Sequence, residues 1–326
     1  MILVTGATGF LGSFICRKLH QQGKEFIALK RASSKLDLLS DIKDQIKWHE
    51  GDVTEINTIE EIIDQVDTVI HSAAVVSYHA SDKDLMDEVN IQGTKKLIDL
   101  CLINDIKKFI HISSVAALGR NKHEGRVDEK TKWQNSKWNT NYGESKHFAE
   151  LEVWRGIVEG LNAVILNPSV VLGPGDWDRS SSTIFKYVWK EKPFYTEGLV
   201  NYVDVRDVVS AVMYLLDHPD KYGERYILNA GNVTFKTLFD EIAKRFNKKA
   251  PSVKAKPQLV KLGLFAEWIK SFFSNKKPMI TRETARLGNS QIYFDNTKAV
   301  KELNHTFASL SDTLDWTCAY YLDNKI

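Results

Sequence analysis

Little in this chain points to metal, disulfide, nucleic-acid or membrane chemistry. Cysteine is scarce: Cys16, Cys101 and Cys318 are all there are, and they lie far apart. An odd number at such spacings gives neither a disulfide framework nor a metal-ligand pattern, so no metal is expected. Cys16 and Cys101 fall within helical patterns and read as small core residues, and the set suits a reducing, cytoplasmic setting. An excess of one charge is lacking too, since 44 Lys and Arg against 42 Asp and Glu leave a formal net charge of +2. A nucleic-acid-binding protein usually carries a dense basic face, so no nucleic-acid partner is expected. No apolar run is long enough to span a bilayer, which argues against membrane insertion. The opening Met1-Ile2-Leu3-Val4-Thr5-Gly6 reads as a first strand, without the basic and apolar regions of a signal peptide. Proline is absent before Pro168, and all seven prolines lie from there onward. No internal repeat or low-complexity stretch is present.

What is there is a chain of 326 residues with 43% apolar side chains. That is enough for one large α/β unit with a smaller appended lobe. Short apolar runs at 2–5, 26–29, 46–49, 68–71, 109–112 and 163–166 read as strands. Helical patterns near 11–22, 55–65, 83–104 and 141–159 alternate with them. This alternation predicts a Rossmann-type, doubly wound parallel sheet with helices on both faces, and the strands show the unbroken apolar character of a sheet buried on both sides. After Pro168 the elements become shorter and less regular. The expected division is a dinucleotide-binding domain over 1–168, to which 201–230 returns, and a smaller substrate lobe built from 169–200 and 231–326.

Thr5-Gly6-Ala7-Thr8-Gly9-Phe10-Leu11-Gly12 follows the first strand and opens a helix. Gly6 suits the tight turn, Gly9 the approach of a pyrophosphate, and Gly12 the close packing of helix on strand. Thr8, Phe10 and Leu11 complete this turn, where a helix N-terminus offers free N–H groups to phosphate. The end of the second strand reads Leu29-Lys30-Arg31-Ala32-Ser33-Ser34. An NAD site commonly has Asp or Glu here; two cations and two hydroxyls suit a 2′-phosphate. The expected cofactor is therefore NADP(H), with NAD(H) the alternative. Asp52 and Val53 close the third strand, where Asp52 is placed to accept from an adenine amino group.

Ile112-Ser113-Ser114 ends the fifth strand, and Tyr142-Gly143-Glu144-Ser145-Lys146 begins the next helix. Tyr142 and Lys146, at i and i+4, share a helical face. A nearby ammonium favours phenolate and would bring the tyrosine towards the working range. A serine at the strand end can hold the substrate oxygen.

These motifs together resemble the extended short-chain dehydrogenases/reductases, the superfamily of nucleotide-sugar epimerases, dihydroflavonol reductases and 3β-hydroxysteroid dehydrogenases. The resemblance runs over essentially the whole chain. It is carried by the glycine turn at 5–12, Gly-Asp-Val at 51–53, His-Ser-Ala-Ala at 71–74, Asn-Ile-Gln-Gly-Thr at 90–94 and Ser-Ser at 113–114. Tyr-x-x-x-Lys at 142–146, the segment 167–176 and Tyr-Val-Asp-Val-Arg-Asp at 202–207 complete it. It implies that Ser114, five residues before Gly119, orients the substrate. Tyr142 would exchange the proton, and Lys146 would hold the nicotinamide ribose and tune Tyr142. It also implies cofactor contacts at Ala73, Ala74, Pro168 and Ser169, and an ordering role for Asn90. His71 stands where many members have Asn.

Three activities are open on this pattern. One is a carbonyl reductase or alcohol dehydrogenase resembling the dihydroflavonol reductases, to which 277–282 and 293–299 look closest. Another is a nucleotide-sugar epimerase. The last is a catalytically weak NADP-binding regulator. Dehydration is disfavoured because Val115 and Ala116 stand where sugar dehydratases carry Asp-Glu. The reductase is favoured: Lys30-Arg31 points to a dissociable cofactor, and Ser114, Tyr142 and Lys146 are intact. Its partner would be a small, largely apolar substrate. Trp133, Trp138, Tyr78 and His79 are candidates to line the pocket. A helix over 258–273, with Leu262, Phe265, Ile269 and Phe272 on one face and Trp268 beside them, is expected to cap it, pack its own lobe or lie on a membrane surface. The resemblance leaves assembly open between a monomer and a homodimer built on the helices near 83–104 and 141–159.

Overall fold

The computed structural model describes residues 1–120, 125–255 and 281–324; the helix expected over 258–273 lies outside them. The strands are β1 (Ile2–Thr5), β2 (Phe26–Lys30), β3 (Lys47–Glu50), β4 (Thr68–His71), β5 (Lys108–Ile112), β6 (Arg126–Val127) and β7 (Ala163–Pro168). They continue with β8 (Val170–Leu172), β9 (Phe194–Tyr195), β10 (Leu199–Asp204), β11 (Arg225–Leu228), β12 (Gly231–Thr234), β13 (Val253–Lys254) and β14 (Tyr293–Phe294). Seven of them form one parallel sheet in the order β11-β7-β5-β4-β1-β2-β3. The order reverses at β1, between β2 and β4, and such a switch point leaves a crevice at the carboxyl ends of the strands.

Helices cover both faces. α1 (Phe10–Gln21) and α7 (Val205–Asp217) pack together on one side. α2 (Asn57–Ile63), α4 (Gly93–Ile103) and α5 (Asn141–Val158) share the other with the apolar residues of Leu3, Ile27 and Val69. Successive strand residues alternate between faces, so Leu3 enters this core and Val4 the opposite one.

The pattern near 83–104 is not one helix. α3 (Lys83–Met86) widens into a π-helical turn, Asp87–Gln92, before α4. Asn90 lies in that turn and is buried, with its amide committed to groups outside the helix, and π-turns of this kind often serve such insertions.

The second half differs in one strand from the sequence expectation. β11 does pair with β7 at the edge of the large sheet, but β10 lies in a separate three-stranded sheet, between β8 and β12. Tyr202, Val203 and Asp204 pair there with Val170, Val171 and Leu172. The smaller core gathers α6 (Ser182–Trp189), α8 (Phe235–Phe246) and the helix Leu310–Asp323 around Phe185, Leu238, Ile242 and Leu314. β9 with β13 and β14 with β6 form two-stranded pairs. Among the described residues no helix is long and apolar enough to cross a membrane.

Candidate active site

The glycine turn sits at the switch point. Gly6 has φ +68°, and a Cβ there would stand 2.6 Å from the backbone N of Ala73. A Cβ on Gly12 would stand 2.0 Å from the Gly6 carbonyl oxygen, so α1 reaches β1 only because both are glycine. Gly9 caps α1 without any side-chain hydrogen bond, which leaves first-turn N–H groups facing the crevice. Thr8, Phe10 and Leu11 are partly buried around it.

His71 links this turn to the helices behind it. Thr94 Oγ1 donates to the Asn90 carbonyl at 2.6 Å, so it accepts from His71 Nε2 at 2.9 Å. The other ring nitrogen, Nδ1, then accepts from Thr5 Oγ1 at 2.7 Å, and Thr5 in turn accepts from Ala73 N. Burial and the Lys146 charge lower the imidazole to about 3, which keeps it neutral. Asn90 continues the network: it brackets Val75 through both N–H and C=O and donates to Ser145 Oγ on α5.

At the adenosine end, the structure separates the two cations. Lys30 lies opposite Glu50 in the β2–β3 register, and the pair stands at 3.3 Å. Arg31 is largely exposed, with Asp52 at 3.9 Å, and its N–H bonds to Ser34 Oγ in the turn. Asp52 uses one carboxylate oxygen to hold Thr54 through both N–H and hydroxyl. Val53 is buried.

Ser114 ends the β5 segment and caps the 3₁₀ turn Val115–Leu118 by accepting from Ala116 N. α5 starts against that turn: Thr140 accepts from Gly143 N at 2.9 Å, and a Cβ on Gly143 would stand 2.9 Å from the Ala116 carbonyl. Tyr142 is thereby brought to the turn that Ser114 begins, and the Ser114 hydroxyl acts to lower its phenol. Burial nevertheless outweighs that effect and pushes the phenol above its ordinary value. The expected lowering by Lys146 is not what the chain's own groups produce, because Lys146 Nζ is turned to the Ile112 carbonyl at 2.8 Å. Lys146 is itself buried, which lowers it to about 8, while Glu150 opposes the shift.

Glu150, one turn beyond Lys146 on the same helix face, escaped sequence reading, although the 142, 146, 150 spacing signals it. It is fully buried and accepts from Ser113 Oγ and Asn167 Nδ2, each at 2.5 Å, with Arg225 at 3.3 Å. Pro168 and Ser169 end β7 beside this cluster. Among the described residues Ser169 Oγ is buried without a hydrogen-bond partner, as expected of a group that waits for a ligand.

Of the four aromatics expected in the pocket, Tyr78 meets Tyr142 edge-on, with ring centroids 6.1 Å apart. Trp133 instead stacks on His147 at 4.1 Å and lines a groove of about 720 Å³ on another side of α5. Trp138 is partly exposed beneath Lys137, and His79 is tied by its backbone N–H to Ser77.

Comparisons with known proteins agree with this layout. The family described as "NAD dependent epimerase/dehydratase family" matches residues 2–231. A Synechocystis sp. protein named after dihydroflavonol 4-reductase is 28% identical over 327 residues, covering 96% of this chain and 93% of its own. Cinnamoyl-CoA reductase 2 of Arabidopsis thaliana is 29% identical over 244 residues, covering 70% of this chain and 72% of its own. The crystal structure of gox2253 superposes with a TM-score of 0.83 at 31% identity, covering 100% of this chain and 98% of that one.

Proposed function

The chain belongs to the NAD-dependent epimerase/dehydratase family, and from that premise we propose that it is an NADP(H)-dependent oxidoreductase that reduces a carbonyl of a small molecule or oxidises the corresponding alcohol. The observation that carries this reading is the meeting of Tyr142 and Ser114 over the buried Lys146. Reductase names among the relatives support the reductase over the epimerase.

The residues fit a dinucleotide. The uncapped start of α1 would take the pyrophosphate, Arg31 the 2′-phosphate, and Ser169 Oγ the carboxamide end. Lys146 has two N–H groups beyond the one given to Ile112 with which to hold a ribose. The bound cofactor supplies hydride. The chain's own groups do the rest. Ser114 orients the substrate oxygen, and Tyr142, kept protonated by burial, donates its phenolic proton to that oxygen in reduction. Lys146 keeps a positive charge beneath it, and Asn90 and Glu150 hold α5 in place. The test is a panel of carbonyl compounds and alcohols offered with each cofactor; consumption of NADPH with no carbonyl compound would reject the reading.

Cofactor choice separates Lys30 from Arg31. Lys30 already has Glu50, so Arg31→Ala should cost most of the preference for NADPH over NADH, and Lys30→Ala little. One charge-assisted hydrogen bond lost is worth about 1.5–3 kcal/mol, or roughly tenfold or more in Kd. Titrating both variants with both cofactors checks this, and equal wild-type affinity for NADPH and NADH would end the 2′-phosphate assignment.

A pH profile tests Lys146. Its amine is charged below about 8 and neutral above it. The kcat/KM of reduction should therefore be flat on the acid side and fall by about tenfold per unit above that value. A rate that stays level well past pH 8 would show that the lysine charge is not required.

A further inference from the structure

Just past the turn that Ser114 begins stands a cation that proton and hydride transfer leave without a task. Gly119 ends the turn that Ser114 begins, and the next residue is Arg120. Its backbone N–H donates to Asn139 Oδ1 at 2.8 Å, which ties it to the segment leading into α5. Its side chain crosses to the C-terminal part of the chain, where Nη1 donates to Ser290 Oγ at 3.1 Å. Tyr78 joins the two sites: its ring packs edge-on against Tyr142, and its phenol lies in the field of Arg120.

Arg120 is half-buried, and burial lowers its pKa. Among the described residues no carboxylate lies within ion-pairing distance of it, and Ser290 takes only one of its five N–H groups. A desolvated cation without an anion is costly, and a carboxylate that meets it in a two-pronged geometry offsets the cost. Glu283 is the other charged side chain acting on Tyr78. One of its oxygens accepts from Asn141 N at 3.3 Å, and the other is buried without a partner among the described residues. Burial raises the Glu283 carboxyl, against the opposing bond from Asn141 N.

We propose that Arg120 anchors a carboxylate on the substrate while the substrate carbonyl lies against Ser114 and Tyr142, so that the enzyme acts on carbonyl compounds that are also acids. This inference rests on the carbonyl reductase reading, and it gives the largely apolar substrate expected from the sequence an acidic end. The guanidinium fork suits a planar carboxylate better than a compact ammonium would.

The experiment compares 3- and 4-carboxybenzaldehyde with the corresponding carboxamides, which have nearly the same shape and no charge. Binding to the NADP⁺-loaded enzyme is measured by calorimetry and reduction by NADPH consumption, for wild type, Arg120→Gln and Arg120→Lys. Wild type should bind an acid at least about tenfold more tightly than its amide. Arg120→Gln should lose that preference, keeping its NADP⁺ affinity and melting temperature, and Arg120→Lys should keep part of it. Equal binding of acid and amide by wild type, no binding of either acid, or a preference that survives in Arg120→Gln would each overturn the anchor. If Arg120→Gln does not fold, the wild-type comparison and Arg120→Lys decide. Acids that bind through Arg120 with no NADPH consumed would sink the reductase reading and leave the anchor standing; acids and amides reduced alike would do the reverse.

Discussion

Tyr142→Phe is expected to lower turnover roughly 10²–10⁴-fold, the range typical of a lost general acid. The substitution deletes one oxygen from a buried ring whose packing against Tyr78 stays available. The hydroxyl of Ser114 keeps its bond from Ala116 N, so the 3₁₀ turn remains capped. NADPH affinity and melting temperature should therefore be close to wild type. Because burial holds the phenol protonated, the loss in the reductive direction should be similar across the neutral range. Steady-state kinetics with any accepted carbonyl compound, beside a cofactor titration, separates this from a folding defect. A Tyr142→Phe enzyme with wild-type kcat would remove the residue from the chemistry.

Gly12→Ala is expected to strike the cofactor and the fold together. Its Cβ would meet the Gly6 carbonyl oxygen at 2.0 Å, the Gly6 carbonyl carbon at 2.7 Å and Ala7 Cα at 2.9 Å, all of them backbone. No side chain can swing away to relieve this, so α1 must move off β1. Forced overpacking of this sort costs about 1–3 kcal/mol, and the displaced first turn should weaken NADPH binding about tenfold or more, since the N–H groups no longer converge. Gly125→Ala is the control, because among the described residues nothing lies within 4 Å of the Cβ it would add. A Gly12→Ala protein that melts and binds NADPH like wild type would show that the close packing of α1 is dispensable.

Local spacing made some of this site readable and long-range pairing hid the rest. The glycine turn and Tyr142 with Lys146 each lie within eight residues of sequence, and their geometry follows from a strand-to-helix junction and a helical period. The parallel sheet followed from alternation, because buried strands and amphipathic helices leave different patterns. Lys30 and Arg31 looked equivalent in the sequence, but the β2–β3 register puts Glu50 opposite Lys30, and register across 20 residues is not written in either strand alone. Arg120, Glu283 and Ser290 come from distant parts of the chain, and no pattern links them. β10 has the apolar character of a strand for the large sheet; only its partners, Val170–Leu172 and Gly231–Thr234, decide which sheet it joins. The π-helical turn at Asp87–Gln92 was hidden because its residues keep helical spacing, and the reason for it is the reach of Asn90 to Val75 and Ser145.

The position of β11 at the rim of the large sheet governs the order in which this chain can be completed. By the time β7 has left the ribosome, its outer edge has no neighbour, and about 56 residues, α6, β10 and α7 included, are made before Arg225–Leu228 arrives. Until then the N–H and C=O groups of β7 are open to pairing with any extended segment. Glu150 meanwhile sits in an unfinished core without Arg225, its nearest cation across the sheet. The sheet and its buried charge are therefore closed in one late step, by a strand that is made only after the first part of the second lobe. Cutting the chain after Pro168 would not release a self-sufficient nucleotide-binding module; it would yield one with a raw edge and an unpaired acid at its centre.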